Sequence, residues 1–258
     1  MPDLAYLSVQ GVTKRFGTGE RALTAVDGMS FDVRRGSFLS ILGPSGCGKS
    51  TLFNMMAGLM APTSGDIRLN GESILCRPGQ MGYMLQRDLL LPWRTIEDNI
   101  SLGQTLHGVP KCRAREDARR MLAECRLLNC ARQRPDELSG GMRQRAALLR
   151  TLATGKEILL LDEPFGALDA ITRLNLQMLL LEIWQKTQKT ILFVTHDVEE
   201  AIFLADEVLV LTGRPGTVRE RVTVPLGRPR NTRMLALPEI ADLRNHLTEQ
   251  LNAGGDRE

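Results

Sequence analysis

Gly43-Pro44-Ser45-Gly46-Cys47-Gly48-Lys49-Ser50-Thr51 is the stretch on which the fold turns. Its spacing, Gly-x4-Gly-Lys-Ser, arises from average residue frequencies in about one chain per hundred of this length. The short, largely apolar run at 38–42 before it reads as a strand. Residues 52–59 after it read as a helix, with Gly58 near its end and Pro62 beyond. A strand, a glycine-rich turn and a helix in that order make an anion cradle. The glycines let the backbone curl so that its N–H groups converge, and the helix adds the positive end of its dipole. Gly43, Pro44, Ser45, Gly46, Cys47, Gly48, Lys49, Ser50 and Thr51 are therefore candidate contacts to a nucleoside triphosphate. Lys49 is expected to reach the β- and γ-phosphates, and the Ser50 hydroxyl to face Mg²⁺.

A second aliphatic run, 158–161, ends in Asp162-Glu163-Pro164. Continuous aliphatic residues suit a buried parallel strand, and open α/β sheets bind ligands at the carboxyl ends of their strands. Asp162 is a candidate to hold Mg²⁺ through water, and Glu163 to polarise a water aimed at the γ-phosphate. A third segment is Leu138-Ser139-Gly140-Gly141-Met142-Arg143-Gln144-Arg145. Ser139 is a good N-cap, and the glycines expose N–H groups at a helix start. The segment reads either as a second anion site or as a plain helix cap.

Around these segments strands and helices alternate. Strands are expected at 6–9, 29–33, 67–69 (entering an Asn70-Gly71 turn), 158–161, 190–194 and 207–211. Helices are expected at 139–153, 170–187 and 198–204. Such alternation indicates a mainly parallel sheet with helices on its faces. Residues 88–137 differ: they are rich in helical periodicity, notably at 113–128, and lack strand patterns. The expected organisation is a nucleotide-binding core at 1–87 and 138–212, a helical subdomain at 88–137, and an extension at 213–258. The extension is expected to hold an edge hairpin at 218–224, a helix at 235–251 and a frayed end at 253–258.

Composition narrows the function. The chain has 33 basic and 30 acidic residues, a net charge of +3, too balanced for a nucleic-acid partner to be expected. Its five cysteines are odd in number and form no C-x-x-C pair, so reduced thiols are expected. Cys47 is read either as a reactive thiol or as a small filler. No apolar run reaches the roughly 18 residues of a membrane span. Met1-Pro2-Asp3-Leu4 lacks the basic-then-apolar pattern of a leader, so membrane association is expected to go through a partner protein.

With these segments in order, residues 4–212 resemble the ATP-binding-cassette (ABC) ATPases. Residues 138–144 look like that family's signature sequence, with Met142 where glutamine is common. Gln86 resembles the Q-loop glutamine, Leu168-Asp169 the D-loop, and His196, after Phe193-Val194-Thr195, the switch histidine. Phe16 resembles the aromatic that stacks on adenine. The resemblance implies an α/β P-loop NTPase fold with an N-terminal antiparallel β part and an inserted helical subdomain. It implies ATP as ligand, with Mg²⁺ held by Ser50, Gln86 and Asp162, and Glu163, His196 and Gln86 in catalysis. It also implies head-to-tail pairing with a second ATPase subunit, expected to be a copy of this chain. Each ATP would then lie between one chain's 43–51 loop and Ser139, Gly140 and Gly141 of the other, with Asp169 at the dimer contact.

Gln86 is followed by Arg87-Asp88-Leu89-Leu90-Leu91-Pro92-Trp93-Arg94-Thr95. Apolar residues in such a loop either pack onto the helical segment or mark a partner site. Finer resemblance points to the nitrate, sulfonate and taurine uptake ATPases. It rests on Leu91-Pro92-Trp93-Arg94-Thr95, on residues 165–173 and on Leu211-Thr212-Gly213-Arg214-Pro215-Gly216. That group implies an importer subunit, peripheral on the cytoplasmic face of the inner membrane. A transmembrane permease would dock near Gln86–Thr95, and a periplasmic or lipoprotein solute-binding protein would act indirectly. A soluble ABC ATPase uncoupled from transport is the alternative, although residues 52–161 leave no room for the long coiled coil of repair-type members.

Overall fold

The computed structural model describes residues 5–19, 22–166 and 168–255. Residues 1–4, Ala167 and the last three residues of the expected frayed end lie outside these. The chain begins with β1 (Leu7–Phe16), β2 (Leu23–Val33), β3 (Phe38–Leu42), α1 (Lys49–Met56), β4 (Ser64–Leu69) and β5 (Glu72–Ser73). It continues through β6 (Gly82–Met84), α2 (Ile96–Ile100), α3 (Leu102–Leu106), α4 (Lys111–Glu124), α5 (Gly140–Leu152), β7 (Ile158–Asp162) and α6 (Ala170–Thr187). It ends with β8 (Thr190–Thr195), α7 (Val198–Leu204), β9 (Glu207–Leu211), β10 (Val218–Thr223) and α8 (Pro238–Gly255). The contacts divide it into two compact units, 1–81 with 188–258, and 82–187.

In the first unit, β1 lies between β2 and β4, antiparallel to both, and β5 closes that sheet. β1 and β2 run well beyond the expected 6–9 and 29–33. Gly11 and Gly28 both sit at positive φ, and register shifts between Val9 and Lys14 carry the pairing past them. A glycine that reads as a strand end is here part of a bulge. β3 pairs in parallel with both β8 and β9, and β10 adds antiparallel to β9. Every residue of β3 and β8 is buried, Ser40 and the two end threonines of β8 included, which accounts for their largely apolar sequences. The Phe38 and Phe193 rings meet with centroids 6.1 Å apart. The expected hairpin at 218–224 is one strand, β10, whose hairpin partner is β9. The final helix starts at Pro238 rather than 235, because Thr232–Ala236 forms a 3₁₀ turn first. α8 sends Ile240 and Leu247 into the same core cluster as Val208, Val210, Ala201 and Ile202.

In the second unit, β6 pairs in parallel with β7, Gly82 opposite Leu159 and Met84 opposite Leu161. No strand was expected at β6; three residues are too short for a pattern to show. Residues 88–137 hold α2, α3 and α4 and no strand. Two ion pairs fasten α4 to α2: Arg115 to Asp98 at 2.8 Å and Arg119 to the buried Glu97 at 2.6 Å. The Arg115 hydrogen bond holds the Asp98 carboxyl below the usual carboxylate range. No described helix is long and apolar enough to cross a membrane.

Candidate active site

The candidate residues divide between the units. The first unit carries Phe16, the 43–51 loop and His196. β3 ends at Leu42 and α1 begins at Lys49, so the loop spans the carboxyl end of a buried strand and the start of a helix. Gly48 makes that junction at φ 92°, where any Cβ would lie 2.6 Å from the Ala25 carbonyl oxygen. Only glycine fits, in both conformation and space. Lys49 is buried, and its ammonium sits in the hollow of the loop, donating to the carbonyls of Gly43 at 2.7 Å and Pro44 at 2.8 Å. Ser50 is exposed beside it. Cys47 is 1% exposed. Burial pushes its thiol above the usual range, against the pull of Lys49. A buried thiol held protonated is a weak nucleophile, so of its two readings the filler fits.

Phe16, at the end of β1, is 39% exposed, with the Lys14 ammonium 5.3 Å from its ring centroid. His196 is exposed at the corner between β8 and α7. That corner is stiff. The Asp197 carboxylate caps α7 by accepting from the N–H groups of Glu199 and Glu200. The Asp197 N–H donates to the Thr195 hydroxyl, which itself donates to Glu200 at 2.7 Å.

The second unit carries the remaining candidates and brings several together. Gln86 Nε2 donates to Glu163 Oε2 at 3.1 Å. Glu163 adopts φ 44°, a left-handed conformation that a glutamate holds only when its surroundings impose it. Asp162, ending β7, is 4% exposed. The Tyr83 hydroxyl donates to it, and burial, then the Asp162 charge, raise the Tyr83 pKa. Asp162 thus accepts a hydrogen bond in a setting largely shielded from water. Ser139 and Gly140 are exposed at the start of α5, where the Ser139 hydroxyl caps the Met142 N–H. Asp169 caps α6 through the Thr172 N–H, which holds its carboxyl low.

The start of α5 is tied to both neighbouring loops. Gln144 Nε2 donates to the Pro164 carbonyl at 2.6 Å, beside Glu163, and Arg143 pairs with Asp88 at 3.2 Å, beside Gln86. The 86–95 loop is itself held from below. Arg150 donates to the carbonyls of Asp88 and Leu89 at 2.5 and 2.6 Å. The fully buried Asn99 bonds the Leu91 N–H and the carbonyls of Leu91, Arg94 and Thr95. Leu90 is buried, but Leu89 is 47% and Trp93 70% exposed. The loop is divided: one leucine packs inward, and the tryptophan faces out.

Residues 26–166, more than half of the chain, match the family described as ABC transporter. The chain belongs to this family of ATP-binding subunits. An uncharacterized ABC transporter ATP-binding protein of Methanocaldococcus jannaschii is 45% identical over 87% of this chain and 84% of its own length. The taurine import ATP-binding protein TauB of Rhizobium johnstonii is 42% identical over 92% of each chain. The bicarbonate transport ATP-binding protein CmpD of Synechococcus elongatus is 41% identical over 95% of this chain and 90% of its own. Among solved structures, the cassette MJ0796, as a post-hydrolysis dimer bound to ADP and Pi, matches with a TM-score of 0.77 and 28% identity. The match covers 86% of this chain and all of that one. The protein is an ABC ATPase with the P-loop cassette fold, and ATP is its ligand.

Three residues of this ABC ATPase carry weight that sequence reading did not show. Tyr83 is masked by the shortness of β6. Asn99 and Arg150 lie inside helical patterns, and their partners are backbone atoms of a loop 4–8 and about 60 residues away in sequence. Nothing in their own segments signals such contacts.

Proposed function

We propose that this ABC ATPase supplies energy to an importer, coupling ATP binding and hydrolysis to uptake of a small oxyanion through a separate membrane permease. The exposed Trp93 on a loop fixed from beneath carries the reading. An indole left in water costs burial energy unless a partner covers it, and the loop that carries this one is braced by Asn99, Arg150 and Arg143. The bracing also gives the contact mechanical meaning. A push on 89–93 reaches Gln86, Glu163 and the start of α5 through hydrogen bonds. The taurine import and bicarbonate transport relatives support both the permease and the solute class. The enzyme then works peripherally at the cytoplasmic face of the membrane.

The proposed roles follow the chemistry of each side chain. The 43–51 backbone and Lys49 hold the phosphates, and Phe16 stacks on adenine. Glu163 accepts a proton from, or polarises, the attacking water, and His196 contacts the γ-phosphate. Gln86, its amide nitrogen engaged by Glu163, presents its oxygen. Ser50, Gln86 and Asp162 each have an oxygen to offer, the kind of donor that suits Mg²⁺ with its preference for few carboxylates plus phosphate. When bound, Mg²⁺ neutralises charge that develops on the phosphates. Ser139 and Gly140, exposed at a helix start, and the half-buried Gly141 complete the site of a second copy. The 88–137 segment acts as the lobe that receives the permease.

Trp93→Glu is expected to abolish co-purification with the permease while leaving the chain's melting temperature within about 2 °C, as for an exposed side chain. Retention of the complex contradicts the docking role. ATP turnover without any permease partner in pull-downs from membranes favours the soluble alternative.

A further inference from the structure

The segment after β9 leaves the sheet and returns to the phosphate loop. Thr212 ties this return into a turn, bonding the Thr217 N–H and hydroxyl through its own side chain. Arg214 then reaches across to the loop, and its Nε donates to the Gly46 carbonyl at 2.8 Å. Two residues on, Gly216 lies against the next carbonyl of the loop. A Cβ on Gly216 would overlap the Cys47 oxygen and lie 3.1 Å from Met29. Backbone bonds to β2 fix Gly216 in that place: its N–H donates to Ala25 and its carbonyl accepts from Asp27, both at 3.0 Å.

Two successive carbonyls of the loop, 46 and 47, thus face the 212–217 segment. A peptide unit is planar and trans, so its N–H points opposite to its carbonyl. Holding the carbonyls of Gly46 and Cys47 outward turns the N–H groups of Cys47 and Gly48 inward. The Cys47 N–H does point into the loop, 3.4 Å from the Pro44 carbonyl. Inward N–H groups are what an anion cradle needs. The Arg214 guanidinium adds a fixed positive charge beside it; Nη2 lies 2.5 Å from where a Gly46 Cβ would be.

We infer that Arg214 is a positioning residue of the ATP site, and that the 212–217 segment, with the C-terminal elements it leads into, sets the shape of the phosphate loop. The inference rests on the reading of 43–51 as the loop that binds the ATP phosphates. Its physical content is pre-organisation. Without Arg214 the 46–47 peptide loses the side-chain donor that holds its carbonyl outward, and ATP binding bears more of the cost of ordering it. The effect falls on binding, since no atom of Arg214 is placed on the reacting groups.

The test uses the purified full chain with Arg214→Ala, Arg214→Lys and Lys49→Ala, measuring ATP KM, kcat and melting temperature. Arg214→Ala is expected to raise KM for ATP about tenfold with kcat within about twofold, the size of one charge-assisted hydrogen bond. Arg214→Lys, which can place an N–H near the same carbonyl, is expected to return KM to within about threefold of the parent. A KM within twofold of the parent for Arg214→Ala overturns the inference. So does a lowered melting temperature with KM unchanged, which makes Arg214 a surface brace. If Lys49→Ala also binds ATP like the parent, the reading of the loop fails and takes the inference with it. If Lys49→Ala loses ATP while Arg214→Ala does not, only the inference fails.

Discussion

Glu163→Gln is expected to bind ATP as the parent does and to lose turnover by about a thousandfold, within the range for removal of a general base. The substitution is nearly isosteric. An amide at 163 can still accept the 3.1 Å bond from Gln86 through its oxygen, so the local arrangement survives. What disappears is the capacity to take a proton or strongly polarise water. The left-handed backbone at Glu163, φ 44°, argues that the fold holds this side chain in one place at a conformational cost. Phosphate release under saturating ATP is the measurement. A rate within about threefold of the parent removes Glu163 from the role, because no general base is so dispensable.

Lys49→Ala acts on binding instead. The ammonium is buried and already makes two hydrogen bonds to loop carbonyls, at 2.7 and 2.8 Å. Its replacement removes the charge closest to the bound phosphates and leaves the Gly43 and Pro44 carbonyls without their donor. Charge-assisted bonds are worth roughly 1.5–3 kcal/mol each, so a loss of about a hundredfold or more in ATP affinity is expected. Titration with a fluorescent ATP analogue reads it directly. Parent-like affinity contradicts the assignment of the loop.

The two carry different information about what sequence can reveal. The 43–51 loop was legible because its chemistry is local. Gly48 must be glycine at φ 92° against Ala25, and a strand must precede it and a helix follow. The α6, α7 and β9 boundaries were legible for a related reason: local signals mark them, such as the Asp197 cap before α7 and the apolar run of β9. The neighbourhood of Glu163 was legible only as a list of parts. That Gln86 bonds Glu163, and that Gln144 reaches Pro164, are contacts between residues far apart in sequence. Asn99 shows the limit most clearly. One buried amide holds four backbone groups of the 91–95 loop, yet in sequence it is an asparagine in a short helix. Burial also decided matters that residue type left open. Cys47 is 1% exposed and Trp93 70%, and these two numbers separate a side chain that packs from one that faces out. The full length of β1 and β2 was not legible, because a glycine within a bulge, such as Gly11, looks in sequence like a glycine at a strand end.

The central claim is that one chain holds half of each ATP site and a second copy completes it. Light scattering of the Glu163→Gln chain, in which ATP persists, tests this most directly. With saturating ATP and Mg²⁺ the account predicts a particle of twice the 28.6 kDa chain mass, returning to one chain when ADP replaces ATP. A particle that stays at 28.6 kDa while ATP is bound contradicts it.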